Sequence, residues 1–205
     1  MKQTVTCTCK HCGASYEATI HPSVNITADP DLKARVLDGS LFLGTCPRCG
    51  QTELLRYPVL YHDPAQKLMV WVSDGDAARE EAMRRVYGQV QVIEGYTGRI
   101  VDDIGSLIEK VKIFDAGLDD IAMEMCKYVT CMEMKRDLPF KFFRLEGADG
   151  EITLTYPENG EMQLVAIGFN IYEDCSAILR RNPALKQKAT GLSKIDSRWI
   201  SQFFR

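Results

Sequence analysis

The sequence predicts an α+β protein. Cysteine-bearing β-hairpins open the chain, a helical hairpin occupies its centre, and an antiparallel β-meander with a closing helix ends it. Three observations carry this expectation. The unit Cys-x-x-Cys-Gly occurs twice, as CKHCG at 9–13 and CPRCG at 46–50. Two periodic helical stretches, 98–117 and 118–137, meet at Ala116-Gly117. After Pro139, three runs of strand character are split by GADG and PENG, both hairpin turn signals.

The elements follow in order. Residues 3–8 and 15–20 alternate loosely around the first cysteine unit, as two short strands would. In ADPDLKARVLDG, Asp29 is a helix N-cap, Pro30 takes the first helical position, and Leu32, Val36 and Leu37 follow at helical spacing. SLFLGT leads into the second unit, TELLRYPVLY leads out of it as strand, and KLMVWVS (67–73) is a further strand. Residues 5–73 thus read as hairpins around two cysteine pairs. From Asp76, DAAREEAMRRVYG begins acidic and ends basic, which complements a helix dipole. Ile100, Ile104, Leu107, Ile108 and Val111 form one helix face, and Leu118, Ile121, Met125 and Val129 form the next. The short link between them predicts an antiparallel helical hairpin. Helices around 173–181 and 195–204 complete the chain. The expected division is a first domain at 1–135, with the hairpins at 5–73 and helices at 76–135, and a second at 136–205.

Composition bounds the function. The 205 residues suffice for a core that needs no metal to form, so a metal site would fix one subregion. The net charge of −3 is not that of a general nucleic-acid binder. Residues 180–205 nevertheless gather seven bases against one acid, a solvated face or a phosphate-binding tail. No apolar run is long enough to span a membrane, and the N-terminus shows no secretory h-region. Eight cysteines without a signal point to the reducing cytoplasm, where thiols are metal ligands, catalysts or core residues before they are disulfides.

The duplicated cysteine unit is the strongest chemical signal. Structural zinc takes four ligands in a tetrahedron, with thiolate sulfurs at ~2.3 Å. Two intervening residues let one tight turn aim both sulfurs at a single point, and a following glycine takes the left-handed conformation that closes the turn. Cys9, Cys12, Cys46 and Cys49 are therefore the expected metal ligands and zinc the expected cofactor, with iron an open alternative in the same thiolate set. Zinc with four thiolates carries net −2 charge, and Lys10 and Arg48 lie inside the units to offset it. The gap of 33 residues between the pairs exceeds that of the simplest zinc ribbon, and the helical insert at 24–38 accounts for the excess. A redox reading uses Cys46 and Cys49 as a thiol-disulfide centre. It lacks the helix N-terminus that would activate the first cysteine. Cys7 is read as a strand residue and His11 as outward-pointing.

These motifs resemble the CpXC family, bacterial and archaeal domains named for two cysteine motifs. The resemblance rests on CKHCG, DPDLKARVLDGSLFLGTCPRCG, YPVLYHD and LIEKVKIFDAGLDD, and spans about residues 5–130. It implies zinc ligands at Cys9, Cys12, Cys46 and Cys49 and a microbial source, and supplies no substrate, because the family has no established activity. Lys10 stands where the family has proline in its first motif.

Other residues invite weaker readings. His62-Asp63 could transfer protons, or could form a strand end and turn. Asp102, Asp103, Asp119 and Asp120 fall in first helical turns, where they stabilise the helix N-terminus by ~0.3–1 kcal/mol each. With Asp115 they could also form a cation or docking surface. Cys126, Cys131 and Cys175 read as core residues. Ile195, Trp199, Ile200 and Phe203 form a stripe that docks on the domain, unless its aromatics are exposed for base stacking. No catalytic constellation accompanies these residues. The expected function is a non-enzymatic, zinc-stabilised module with a protein partner. Thiol redox at Cys46/Cys49 and nucleic-acid binding through the basic tail are the alternatives.

Overall fold

The computed structural model describes residues 2–147 and 150–204. The fold is mixed α and β, as the sequence predicts, and divides into two compact units, Met1–Ile108 and Glu109–Arg205.

The first unit opens on β1 (Gln3–Thr8) and β2 (Ser15–Ile20), paired antiparallel with Thr8 opposite Ser15. Strand β3 (Ser23–Asn25) and helix α1 (Asp31–Leu37) follow. The expected Asp29 cap is not used, and Pro30 stands at the N-cap position without a side-chain cap. A single 3-10 turn, Ser40–Phe42, leads into β4 (Leu43–Thr45), which pairs antiparallel with β5 (Thr52–Leu54). The stretch TELLRYPVLY is therefore two strands: β5 ends at Leu54, and β6 (Val59–Asp63) begins after Pro58.

Beyond the hairpins lies a mixed sheet that the cysteine pattern does not announce. Strand β7 (Leu68–Val72) is buried along its whole length. It pairs antiparallel with β6 on one side and parallel with β8 (Thr97–Val101) on the other, while β3 pairs parallel with β6. The connection from β7 to β8 runs through α2 (Ala77–Glu94), as a parallel pairing requires. Strand β8 corrects one expectation: Ile100 belongs to it and not to the following helix, α3 (Ile104–Asp115). Asp102 and Asp103 precede α3. Asp103 caps it, accepting from Ser106 N and Ser106 Oγ at 2.8 Å each.

Helix α3 ends at Ala116-Gly117. The Leu118 N–H reaches back to Ile113 O and the Gly117 N–H to Phe114 O, both at 3.0 Å. Gly117 sits at φ 69°, the left-handed position this stop demands. Helix α4 (Asp120–Met134) starts at once, capped by Asp119, whose carboxylate accepts from Ile121 N and Ala122 N.

In the second unit, β9 (Lys141–Glu146), β10 (Glu151–Glu158) and β11 (Glu161–Gly168) form the antiparallel meander. The PENG turn places Asn159 and Gly160 at φ 52° and 82°, a two-residue hairpin loop with positive φ at both centres. The tip of GADG, residues 148–149, lies outside the described residues. Helices α5 (Phe169–Arg181) and α6 (Pro183–Lys188), a short strand β12 (Leu192–Ser193) and α7 (Ser197–Ser201) end the chain. Helices α4, α5 and α7 pack together over a core that includes Ile121, Met125, Phe142, Ile152, Leu154, Leu179 and Ile200.

Candidate metal centre

The two cysteine units fold into the same object. Each connects two paired strands through six residues, 9–14 between Thr8 and Ser15 and 46–51 between Thr45 and Thr52. In each, the glycine N–H closes onto the carbonyl of the first cysteine: Gly13 onto Cys9 O and Gly50 onto Cys46 O, both at 2.9 Å. The first cysteine's own N–H then bonds the last loop carbonyl, Ala14 O or Gln51 O, again at 2.9 Å. Gly13 and Gly50 have φ of 69° and 72°. A side chain there would force a left-handed residue at ~1–2 kcal/mol. We expect Gly50→Ala to weaken metal retention by roughly tenfold, read as a lower chelator concentration for half-removal of the metal.

The two loops bring four sulfurs together. The Sγ atoms of Cys9, Cys12, Cys46 and Cys49 all lie within 4.8 Å of one another. Cys9 and Cys49 stand 3.7 Å apart, as do Cys12 and Cys46. A tetrahedron of sulfurs at ~2.3 Å from a central zinc has an edge of ~3.8 Å. Disulfide sulfurs would sit at ~2.05 Å. Cys9 and Cys46 are buried, Cys12 is half-buried and Cys49 exposed. The buried pair packs with Tyr16, Ala18 and Leu55, so the group has a small apolar core of its own.

Backbone donors surround the sulfurs. The N–H groups of Arg48 and Cys49 point at Cys46, that of Ala14 at Cys12 and that of Gln51 at Cys49. At Cys46, burial pushes the thiol up, but the Cys49 and Arg48 N–H groups and the neighbouring thiols outweigh it, and its pKa falls to about 7. At Cys12 the Ala14 N–H works downward, yet burial and the three other thiols push the pKa up to about 12. Thiols packed this closely resist losing all four protons unless a cation supplies the balancing charge. That donor set suits a thiophilic metal ion.

Neither His11 nor Cys7 belongs to the four-sulfur group. His11 is exposed, and Cys7 is a β1 residue opposite Tyr16. Lys10, expected to offset the site's negative charge, faces Glu53, with its Nζ 4.0 Å from Glu53 Oε2.

His62 and Asp63 are separated. They alternate along β6, so their side chains leave opposite faces. His62 Nε2 lies 2.9 Å from Tyr96 Oη. Asp63 is buried and accepts from Lys33 Nζ at 3.2 Å, Gln66 Nε2 at 3.0 Å and Gln66 N at 3.3 Å. The acid therefore anchors α1 and a turn and does not orient the imidazole. Cys126 and Cys175 share the second unit's core, with Cys131 against it. Ile195 and Ile200 are buried in that core, and Trp199 and Phe203 pack against it.

Sequence reasoning missed one cluster. Glu109, Lys110, Asp120, Glu124 and Lys127 are all buried. Lys110 Nζ lies 2.9 Å from Asp120 and 3.4 Å from Glu124. Lys127 Nζ lies 2.9 Å from Glu109 and 2.8 Å from Glu124. Glu109 also accepts from the Phe142 N–H at 2.8 Å. The available signal was the charge set at 109–110, 120, 124 and 127, in part on the apolar faces of two helices joined by a tight turn. Asp120, expected to serve the helix terminus or a cation or docking surface, is buried with its carboxylate on Lys110.

Fold and site together define an α+β protein whose paired cysteine hairpins form a four-sulfur site able to hold a metal ion. The chain belongs to the CpXC family, whose model, described as CpXC protein, matches residues 7–127 of the 205. That span contains all four clustered cysteines. No curated protein matches the chain. No solved structure matches it either. Among the described residues, no helix is long and apolar enough to cross a membrane.

Proposed function

We propose that the protein is a zinc-stabilised, non-enzymatic interaction module. Its four-thiolate zinc, held by Cys9, Cys12, Cys46 and Cys49, locks two β-hairpins into a platform for a protein partner. The observation that carries this reading is the 3.7 Å spacing of Cys9 from Cys49 and of Cys12 from Cys46, close to the edge of a zinc–thiolate tetrahedron. These contacts run between the two loops, so a metal there ties one hairpin to the other. The exposed loop residues Lys10, His11, Pro47 and Arg48 are the surface that the metal would hold in shape.

A thiol-disulfide centre at Cys46 and Cys49 is the weaker reading. Cys46 leads into a turn and then β5, where no helix dipole favours its thiolate. Nucleic-acid binding through the basic tail would have to rely mainly on its charges, because Trp199 and Phe203 pack against the core and the exposed Phe204 is stacked on Tyr128.

Native mass spectrometry of freshly purified protein, beside its denatured mass, tests the proposal. The expected result is one zinc per chain with every cysteine reduced. A metal-free chain two daltons light for each disulfide would replace the proposal with the redox reading. A coloured, iron-bearing chain would replace the metal.

A further inference from the structure

We infer that the first unit carries a second ligand site, a cleft that binds a small oxyanion with a phosphate or carboxylate head. The cleft measures about 440 Å³ and is walled by β2, α1 and β4, with Tyr16, His21, Gly44, Arg35 and Lys2 among its residues. It borders the cysteine group, because Tyr16 also packs against Cys9 and Cys46.

Two unsatisfied buried atoms point to a ligand. His21 is 3% exposed and Tyr16 6% exposed. Yet His21 Nδ1 and Tyr16 Oη are buried without a hydrogen-bond partner, and both residues line this one cleft. An unpaired buried polar atom costs ~1–3 kcal/mol, so two along one wall call for a partner that is not protein. Tyr16 Oη is directed at Gly44, where a Cβ would come to 3.0 Å from it. With the proton on Nδ1, the His21 ring donates, as the Tyr16 hydroxyl does, so both match an oxygen acceptor.

The charges give the sign of the ligand. Arg35 on α1 and Lys2 bring two cations to the cleft, and Glu17 brings one carboxylate. The positive excess reaches the imidazole. Burial, and then the charges of Arg35 and Lys2, hold His21 below the usual histidine range, with Asp29 opposing them. An arginine fork beside two neutral donors is the arrangement that recognises a planar carboxylate or a phosphate.

The probe is inorganic phosphate, with acetate as the carboxylate counterpart and chloride at matched ionic strength as the control. The readout is the His21 ring resonances of the full-length protein. Saturable shifts with phosphate or acetate, absent with chloride, are expected, and whichever anion binds more tightly identifies the head group. Arg35→Gln should weaken binding at least tenfold, and Glu17→Gln should strengthen it several-fold. Both residues are exposed, so the variants should fold, which their amide spectra verify. His21 shifts that follow ionic strength alone, or that are unchanged in Arg35→Gln, would overturn the proposal and leave the two atoms to ordered water.

Discussion

Replacing Cys46 with serine is expected to release the metal and loosen both cysteine hairpins together. Cys46 is fully buried, its sulfur faces Cys12 across the loop interface at 3.7 Å, and two backbone N–H groups point at it. Structural zinc in small domains binds with an apparent ~10–16 kcal/mol at pH 7, so one ligand in four represents about 2.5–4 kcal/mol. That predicts a loss of zinc affinity of about one hundredfold to several hundredfold, measured by competition with a chelator. Amide exchange should accelerate in 3–20 and 43–54, where the hairpins share only a small apolar cluster beneath the sulfurs. The meander and helices of the second unit have their own core and should keep their protection. Cys7→Ser should leave the metal in place, since Cys7 lies outside the four-sulfur group. A Cys46→Ser protein that is folded and holds zinc with unchanged affinity would contradict the assignment.

Lys127→Met is expected to destabilise the second unit by about 3–5 kcal/mol, because it leaves two buried carboxylates without their shared cation. Lys127 binds Glu109 and Glu124 at 2.9 and 2.8 Å, and all three side chains are at most 8% exposed. The cluster holds three carboxylates and two ammonium groups, and Glu124 Oε2 has no partner. Glu124→Gln removes the surplus charge, and its stability at pH 7 should stay within about 1 kcal/mol of the wild type. Urea denaturation measures both variants.

The pH dependence separates the members of the cluster. Burial pushes Glu109 up, but the ammonium groups of Lys127 and Lys110 outweigh it and hold its carboxyl below the usual range. Its contribution is present above its unfolded pKa of ~4.3 and is lost as pH falls through the lower folded value. Glu124 has the opposite sign: burial, aided by Glu109, outweighs both lysines and pushes its carboxyl up. Its contribution is present below the unfolded value and is lost as pH rises through the folded one. Acidification therefore recovers at Glu124 part of what it loses at Glu109. Glu124→Gln abolishes the recovery, so its stability should fall more steeply than the wild type's between pH 7 and pH 3. An equal or shallower fall would show that Glu124 carries no raised carboxyl.

The legible parts of this chain are those set by local chemistry. Cys-x-x-Cys-Gly encodes a turn, two sulfur vectors and a left-handed glycine in five residues, so the four-sulfur group could be read before any contact was known. The PENG turn and the Gly117 helix stop are equally local, because each needs a positive φ that its residues supply. The parallel pairings were not legible. Strand β8 carries Ile100 at a spacing that also fits the face of α3, and periodicity alone joined them. Asp103 with Ser106 marked the true helix start. The five-membered charge cluster was hidden for a different reason. Lysine and glutamate on a helix read as a solvated face, yet all five of these side chains are buried. His62 and Asp63 were adjacent in sequence and were weighed as a pair, but strand alternation sends them to different partners.

X-ray absorption at the zinc edge, on the purified full-length protein, tests the metal assignment most directly. The expected result is one shell of four sulfurs at ~2.3 Å, with no nitrogen or oxygen neighbour. A mixed shell containing nitrogen, or a protein that binds no zinc while its four clustered thiols are reduced, would contradict it.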